Sequence, residues 1–86
     1  MKLIKITAIW CLSCILMNDR INNILKESNI EIEELDYDDD EEKIENFAIG
    51  KTLPVLILLD ENNNEIRRSI GEKSEKELKE FIKGSV

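Results

Sequence analysis

Residues 3–14 of the chain read Leu-Ile-Lys-Ile-Thr-Ala-Ile-Trp-Cys-Leu-Ser-Cys. The portion from Leu3 to Ile9 is aliphatic and β-branched and contains no turn former, which predicts a strand buried on both faces apart from Lys5. From Cys11 onward the apolar residues recur at spacings of three and four, which predicts an amphipathic helix that begins at the cysteines. The positions that set this period are Cys14, Met17, Ile21, Ile24 and Leu25.

The next two elements carry weaker signals. Residues 28–29 are expected to end the first helix, and residues 30–37 predict a second strand with a solvated acidic face. The residues after the acidic stretch 38–42 have the spacing of a short helix. The acids favour the positive end of the helix dipole at its N-terminus, and Gly50 is the expected end of the helix. The apolar positions of this short helix are Ile44, Phe47 and Ala48.

The C-terminal third predicts a hairpin and a final helix. Pro54 stands at the entrance of the apolar strand 55–59, where proline is tolerated. Residues 60–64 are rich in turn formers and connect this strand to a returning strand over 65–70. Residues 74–77 read Ser-Glu-Lys-Glu, which has the form of a capping box ahead of an apolar helical face.

These elements predict one α/β domain over residues 1–86, in the order strand, helix, strand, helix, strand, strand, helix. A right-handed crossover joins the first two strands in parallel. The hairpin pairs the last two strands antiparallel. We therefore expect a three-layer α/β/α sandwich with a four-stranded mixed sheet of spatial order 2-1-3-4.

The composition excludes several functional classes. The net charge is −7 and the acidic excess lies in residues 31–45, which we interpret as a solvated surface and which argues against nucleic acid as a partner. No segment has the apolar length of a membrane span, and Lys5 interrupts the N-terminal apolar run, so we expect a cytoplasmic protein without membrane association. The chain has two cysteines and no histidine, which excludes a His-activated nucleophile and a Cys/His zinc site within the chain.

The two cysteines have the spacing Cys-x-x-Cys at the junction of strand and helix. Cys11 is thereby placed at the helix N-terminus, where free backbone N–H groups stabilise a thiolate, and its sulfur is expected to be exposed and ionised. Cys14 lies one turn later on the core-facing stripe, close enough to form a disulfide and shielded as a resolving thiol. In a reducing cytosol this pair indicates redox chemistry. A zinc site needs four ligands, which the pair supplies only in a dimer or with carboxylates, so we expect no metal.

Three motifs resemble the successive signatures of the thioredoxin family. They are Trp10-Cys11-Leu12-Ser13-Cys14, Thr52-Leu53-Pro54-Val55-Leu56, and Ile70-Gly71 followed by Lys73, Ser74, Leu78 and Phe81. The resemblance covers nearly the whole chain. It does not include the additional N-terminal strand and helix of ordinary thioredoxins, and the size resembles that of glutaredoxins.

The resemblance implies dithiol–disulfide exchange in which Cys11 attacks, Cys14 resolves and no cofactor takes part. It also implies that Pro54 is a cis proline facing the cysteine pair, and that the backbone of Leu53 pairs with an extended stretch of substrate. The apolar surface that docks the substrate around Cys11 would consist of Trp10, Leu53, Pro54, Ile70 and Gly71.

The sequence departs from the family pattern at two positions near the cysteines. Ser13 stands where thioredoxins usually have proline and glutaredoxins commonly tyrosine, so the redox potential of the family does not transfer. Lys5 stands where thioredoxins have a buried acid that assists proton transfer. Its amine either extends to the surface or lies beneath the pair as a modulating cation that helps to ionise Cys14. Residues 69–72 read Ser-Ile-Gly-Glu and lack the Gly-Gly and acidic pairing that glutaredoxins use to bind glutathione.

The expected function is therefore that of a monomeric thiol–disulfide oxidoreductase that transfers electrons to protein disulfides in cell redox homeostasis. Its electrons would come from a thioredoxin-reductase-type enzyme or from a small thiol. One alternative is a glutaredoxin-like enzyme that uses glutathione or another small thiol. An alternative of another class is a non-catalytic redox sensor or adaptor.

Overall fold

The computed structural model describes residues 1–26 and 30–83. Within these residues the chain forms four strands and three helices in the predicted order. Their bounds are β1 Lys2–Thr7, α1 Leu12–Leu25, β2 Glu31–Asp36, α2 Glu41–Glu45, β3 Val55–Leu59, β4 Glu65–Ile70 and α3 Glu75–Lys83. The sheet order is β2-β1-β3-β4, which confirms the predicted α/β class and strand order.

The strand register brings several chain ends to one edge of the sheet. β1 runs parallel to β2, with Thr7 opposite Asp36. β1 is antiparallel to β3, with Ile6 opposite Val55, and β3 is antiparallel to β4, with Val55 opposite Ile70. The C-terminal ends of β1 and β4 and the N-terminal end of β3 therefore meet at the same edge, and α1 begins there.

Alternation along the strands builds a core on each face of the sheet. On one face, strand residues such as Ile6 and Ile57 pack with Ile44 of α2, in the same cluster as both cysteines. On the other face, Leu3, Leu56 and Leu58 pack with apolar residues of α1 and α3. The latter are Met17, Ile21 and Leu78. Helices thus cover both faces, which confirms the three-layer sandwich.

The predicted C-terminal ends of β1, at Ile9, and of α2, at Gly50, are wrong, because the chain turns before each of them. β1 ends at Thr7, and the N–H of Cys11 donates to the carbonyl of Ala8, which closes a turn and leaves Ile9 86% exposed. α2 ends at Glu45, and Ala48 adopts a positive φ of 51° after it, the conformation expected of Gly50.

The other boundaries that fall within the described residues agree with the sequence to within one residue. α1 ends at Leu25, and the expected end at residues 28–29 lies outside the described residues. The capping box of α3 is confirmed, because Ser74 Oγ accepts the N–H of Glu77 at 3.2 Å and the Glu77 carboxylate accepts the N–H of Ser74 at 3.4 Å. No helix of the described residues is long and apolar enough to cross a membrane.

Candidate active site

The two cysteines lie at the start of α1 and form a disulfide. Cys11 is the N-cap residue, with extended backbone at φ −92° and ψ 105°, and its Sγ accepts the backbone N–H of Cys14 at 3.2 Å. The Cα atoms are 5.3 Å apart, within the ordinary range for a disulfide. The sulfur of Cys11 thus occupies the position at which a helix N-terminus stabilises negative charge.

The cysteines differ in burial, though less than the sequence predicts. Cys11 is 8% exposed and Cys14 is 2% exposed. The expectation of an exposed Cys11 sulfur is wrong for this oxidised state, because Cys11 packs in the same core cluster as Ala8 and Leu53. The order of exposure is nevertheless the predicted one, and Cys11 is the more accessible residue.

The sheet edge places Leu53, Pro54 and Gly71 next to the start of α1. Pro54 immediately precedes β3, and its carbonyl accepts the N–H of Gly71 at 2.9 Å. The Leu53–Pro54 peptide bond is cis, as the resemblance implies. The side chain of Pro54 is fully buried and Leu53 is 7% exposed, so neither contributes an open apolar face. Leu53 packs in one cluster with Cys11 and Cys14.

The exposed apolar surface at this end of the sheet is larger than the sequence predicts. Of the expected docking residues, Trp10 and Ile70 are 60% and 46% exposed. Four residues that sequence analysis missed extend this surface: Ile9, Leu12, Ile15 and Leu16. The last three recur at helical spacing on the face of α1 that points away from the core, and this second apolar stripe was the signal available in the sequence.

Trp10 is fixed on the surface by the acidic segment that follows β2. Its indole N–H donates to Asp38 Oδ2 at 2.8 Å. Its ring also meets the ring of Tyr37 edge-on, with centroids 5.9 Å apart and an interplanar angle of 87°. Trp10 is therefore oriented beside Cys11 rather than buried in the core.

The position of Lys5 differs from both arrangements expected from the sequence, because its amine is bound by side chains of β2 and α1. Its side chain is 8% exposed, so the amine does not extend freely into solvent. Nζ forms an ion pair with Glu34 Oε2 at 3.2 Å and donates to Asn18 Oδ1 at 3.0 Å. The buried cation is thus paired across the β1–β2 register.

The residues that the structure describes contain no group of three or more acidic or cysteine side chains arranged to hold a metal ion.

Comparisons with known proteins give one family and several related structures. The sequence model of the Thioredoxin family matches residues 1–84. Comparison with curated protein sequences gives no significant match. The chain superposes on thioredoxin-2, a component of malaria parasite protein secretion machinery, with a TM-score of 0.85 and 26% identity over 98% of this chain and 82% of the other. Thioredoxin 1 from Thermosipho africanus TCF52B gives a TM-score of 0.84 and 26% identity over 96% and 91%.

Proposed function

Because this chain belongs to the thioredoxin family, we propose that it reduces disulfide bonds of protein substrates through exchange between Cys11 and Cys14. The observation that carries the proposal is the hydrogen bond of 3.2 Å from the Cys14 N–H to the Cys11 sulfur at the N-cap of α1. The same N–H donor stabilises a thiolate on Cys11 once the disulfide is reduced.

The first step is attack on the substrate. The Cys11 thiolate attacks one sulfur of the substrate disulfide, the substrate S–S bond breaks, and the other substrate sulfur leaves as a thiolate that takes up a proton. Cys11 is then joined to the substrate in a mixed disulfide. The greater exposure of Cys11, 8% against 2% for Cys14, supports this division of roles.

The second step releases the product. The Cys14 thiol loses its proton, and its sulfur attacks Cys11, which expels the second substrate sulfur. The products are a substrate dithiol and the Cys11–Cys14 disulfide, the form that the structure contains. Because the cysteines lie one helical turn apart in the same chain, this step is intramolecular and faster than attack on the mixed disulfide by a thiol from solution.

Docking of the substrate involves the exposed apolar surface around Cys11. Trp10 lies in the turn between β1 and α1, Ile70 is the last residue of β4 at the same end of the sheet, and Gly71 leaves room for a close backbone approach. Buried Leu53 and Pro54 act by shaping the sheet edge, and the backbone of Leu53 pairs with an extended substrate segment. A peptide that carries apolar side chains beside its disulfide suits this surface.

Multiple turnover in a disulfide-reduction assay tests the proposal. With a dithiol as electron source, the chain is expected to accelerate reduction of a protein disulfide such as that of insulin, and Cys11→Ser to abolish the acceleration. A matched control is Ser13→Ala, which changes the same loop and leaves both thiols. A protein that exchanges only once would instead be a redox sensor.

The electron donor is proposed to be a flavin-dependent thioredoxin reductase or a small thiol. Rates of reduction of the Cys11–Cys14 disulfide with the reductase and with glutathione separate the two. Preference for glutathione would favour the glutaredoxin-like alternative.

A further inference from the structure

The thiol of Cys14 has to lose a proton in a place that bulk water barely reaches. Cys14 is 2% exposed. The structure has a cavity of about 300 Å³ on the Cys14 side of the cysteine pair, bounded by β1, β2 and the first turns of α1. Its polar lining consists of Thr7, Asn18, Glu34 and Asp36 together with Cys14 itself. A polar cavity of this volume has room for several water molecules, which connect a buried thiol to titratable groups.

Two carboxylates line this cavity, and their bonding differs. Asp36 Oδ1 accepts the backbone N–H groups of Asp38 and Asp39 at 2.9 and 3.1 Å, so this carboxylate stabilises the turn that follows β2. Within the described residues, the Glu34 carboxylate accepts no backbone N–H group, and its partners are side chains of β1. One is the hydroxyl of Thr7, which donates to Glu34 Oε1 at 3.4 Å.

The second partner of Glu34 is the buried ammonium of Lys5. The two residues are opposite each other in the β1–β2 register, and Lys5 Nζ lies 3.2 Å from Glu34 Oε2. Lys5 Nζ also donates to Asn18 Oδ1 at 3.0 Å, which connects the ion pair to α1 one turn beyond Cys14. Each carboxylate oxygen is therefore held by one partner, and the side chain is fixed at the cavity wall while 58% of it stays in contact with solvent.

We propose that Glu34 accepts the proton of the Cys14 thiol through water in this cavity, and that Lys5 and Thr7 position its carboxylate for this transfer. The inference rests on the proposed function. In the step, the Cys14 S–H bond breaks, its proton passes to Glu34, and the electron pair left on sulfur forms the bond to Cys11. The substrate sulfur leaves with the electron pair of the mixed disulfide and is protonated from solvent or from Glu34. Exposed Glu34 then returns to the carboxylate by exchange with water.

The test separates the two steps in a single turnover of the reduced protein with a disulfide peptide. Glu34→Gln is expected to leave formation of the mixed disulfide unchanged and to slow its resolution by about tenfold or more at neutral pH. The pH profile of the resolving step should shift upward, since hydroxide then has to remove the proton. Glu33→Gln is the matched control, because Glu33 pairs with Lys2 at 3.0 Å across the same two strands. This control should resolve at the wild-type rate.

A second variant distinguishes proton transfer from a folding defect. Glu34→Gln leaves the Lys5 ammonium buried without its counter-charge, whereas Lys5→Met with Glu34→Gln removes both charges. The double variant should fold and should resolve as slowly as Glu34→Gln. Wild-type resolution in the double variant, or in Glu34→Gln itself, would overturn the inference, as would an equal defect in Asp36→Asn.

Failure of disulfide exchange and failure of the role of Glu34 give different results in this experiment. If the wild-type chain forms no mixed disulfide, the proposed function fails, and this inference fails with it. If the wild-type chain completes both steps and Glu34→Gln does so at the same rate and with the same pH profile, only the role of Glu34 is contradicted.

Discussion

The sulfur of Cys11 accepts the backbone N–H of Cys14 at 3.2 Å, so the first turn of α1 uses one cysteine to cap the other. This hydrogen bond makes the two thiols chemically unequal. The Cys11 sulfur accepts a helix N–H group at the N-cap, whereas Cys14 is 2% exposed and lies one turn further into α1. The division into an attacking and a resolving cysteine follows from that inequality.

Limited alkylation of the reduced protein near neutral pH should therefore modify Cys11 first. We expect Cys11 to react about tenfold faster than Cys14 or more, because the thiolate is the reactive species and the helix N-terminus favours it. Peptide mapping by mass spectrometry after brief exposure to iodoacetamide measures the ratio. Equal labelling of the two thiols would contradict the inequality.

Trp10→Ala should weaken docking of protein substrates. The indole is 60% exposed and is held by Asp38, so it presents a rigid apolar face beside Cys11. We expect the KM for a protein disulfide to rise by about tenfold, corresponding to about 1.4 kcal/mol, with little change in kcat. Ile66→Ala is the control, because Ile66 is 43% exposed at the opposite end of β4. If both variants raise KM equally, Trp10 has no special role in docking.

Gly71→Ala should destabilise the sheet edge at the site. Gly71 has φ +88°, and a Cβ there would meet only the Thr52 methyl at 3.6 Å, so the cost is backbone strain rather than a clash. We expect a loss of about 1–2 kcal/mol in the free energy of unfolding. Gly50→Ala is the control, since a Cβ at Gly50 has no neighbour within 4 Å. Urea denaturation of both variants checks the prediction, and equal stabilities would refute it.

Conversion of Asp38, Asp39 and Asp40 together to asparagine should change solubility and salt sensitivity more than turnover. Asparagine retains an acceptor oxygen, so the bond from the Trp10 indole to residue 38 can persist. Exposed charges are screened over about 10 Å in ordinary buffers. We expect kcat/KM to change by no more than about twofold, whereas its dependence on salt decreases. A large loss of activity at moderate salt would show that these acids take part in exchange.

The sequence predicts the features that depend on local pattern. The strand over Val55–Leu59, the hairpin, the capping box at Ser74 and the start of α1 at the cysteines all follow from spacing and turn chemistry within a few residues. The sheet order follows from connection rules applied to those elements.

Side-chain and backbone arrangements that depend on residues far along the chain could not be predicted from the sequence. The partner of Lys5 is Glu34, which only the register of β1 against β2 brings opposite it. The orientation of Trp10 depends on Asp38, twenty-eight positions along the chain. Ala48 adopts a positive φ that propensity assigns to glycine, and the carbonyl of the preceding Phe47 accepts a hydrogen bond of 2.9 Å from Arg68 of β4. The burial of Pro54 likewise depends on the strands around it.

Trapping of the mixed disulfide tests the central claim most directly. Cys14→Ser retains the attacking thiol and lacks the resolving one, so incubation of the reduced variant with a protein disulfide should accumulate a covalent adduct. Mass spectrometry should locate that adduct on Cys11, and Cys11→Ser should trap nothing under the same conditions. An adduct on Cys14 in Cys11→Ser, or the absence of any adduct in Cys14→Ser, would contradict the assignment of Cys11 as the nucleophile.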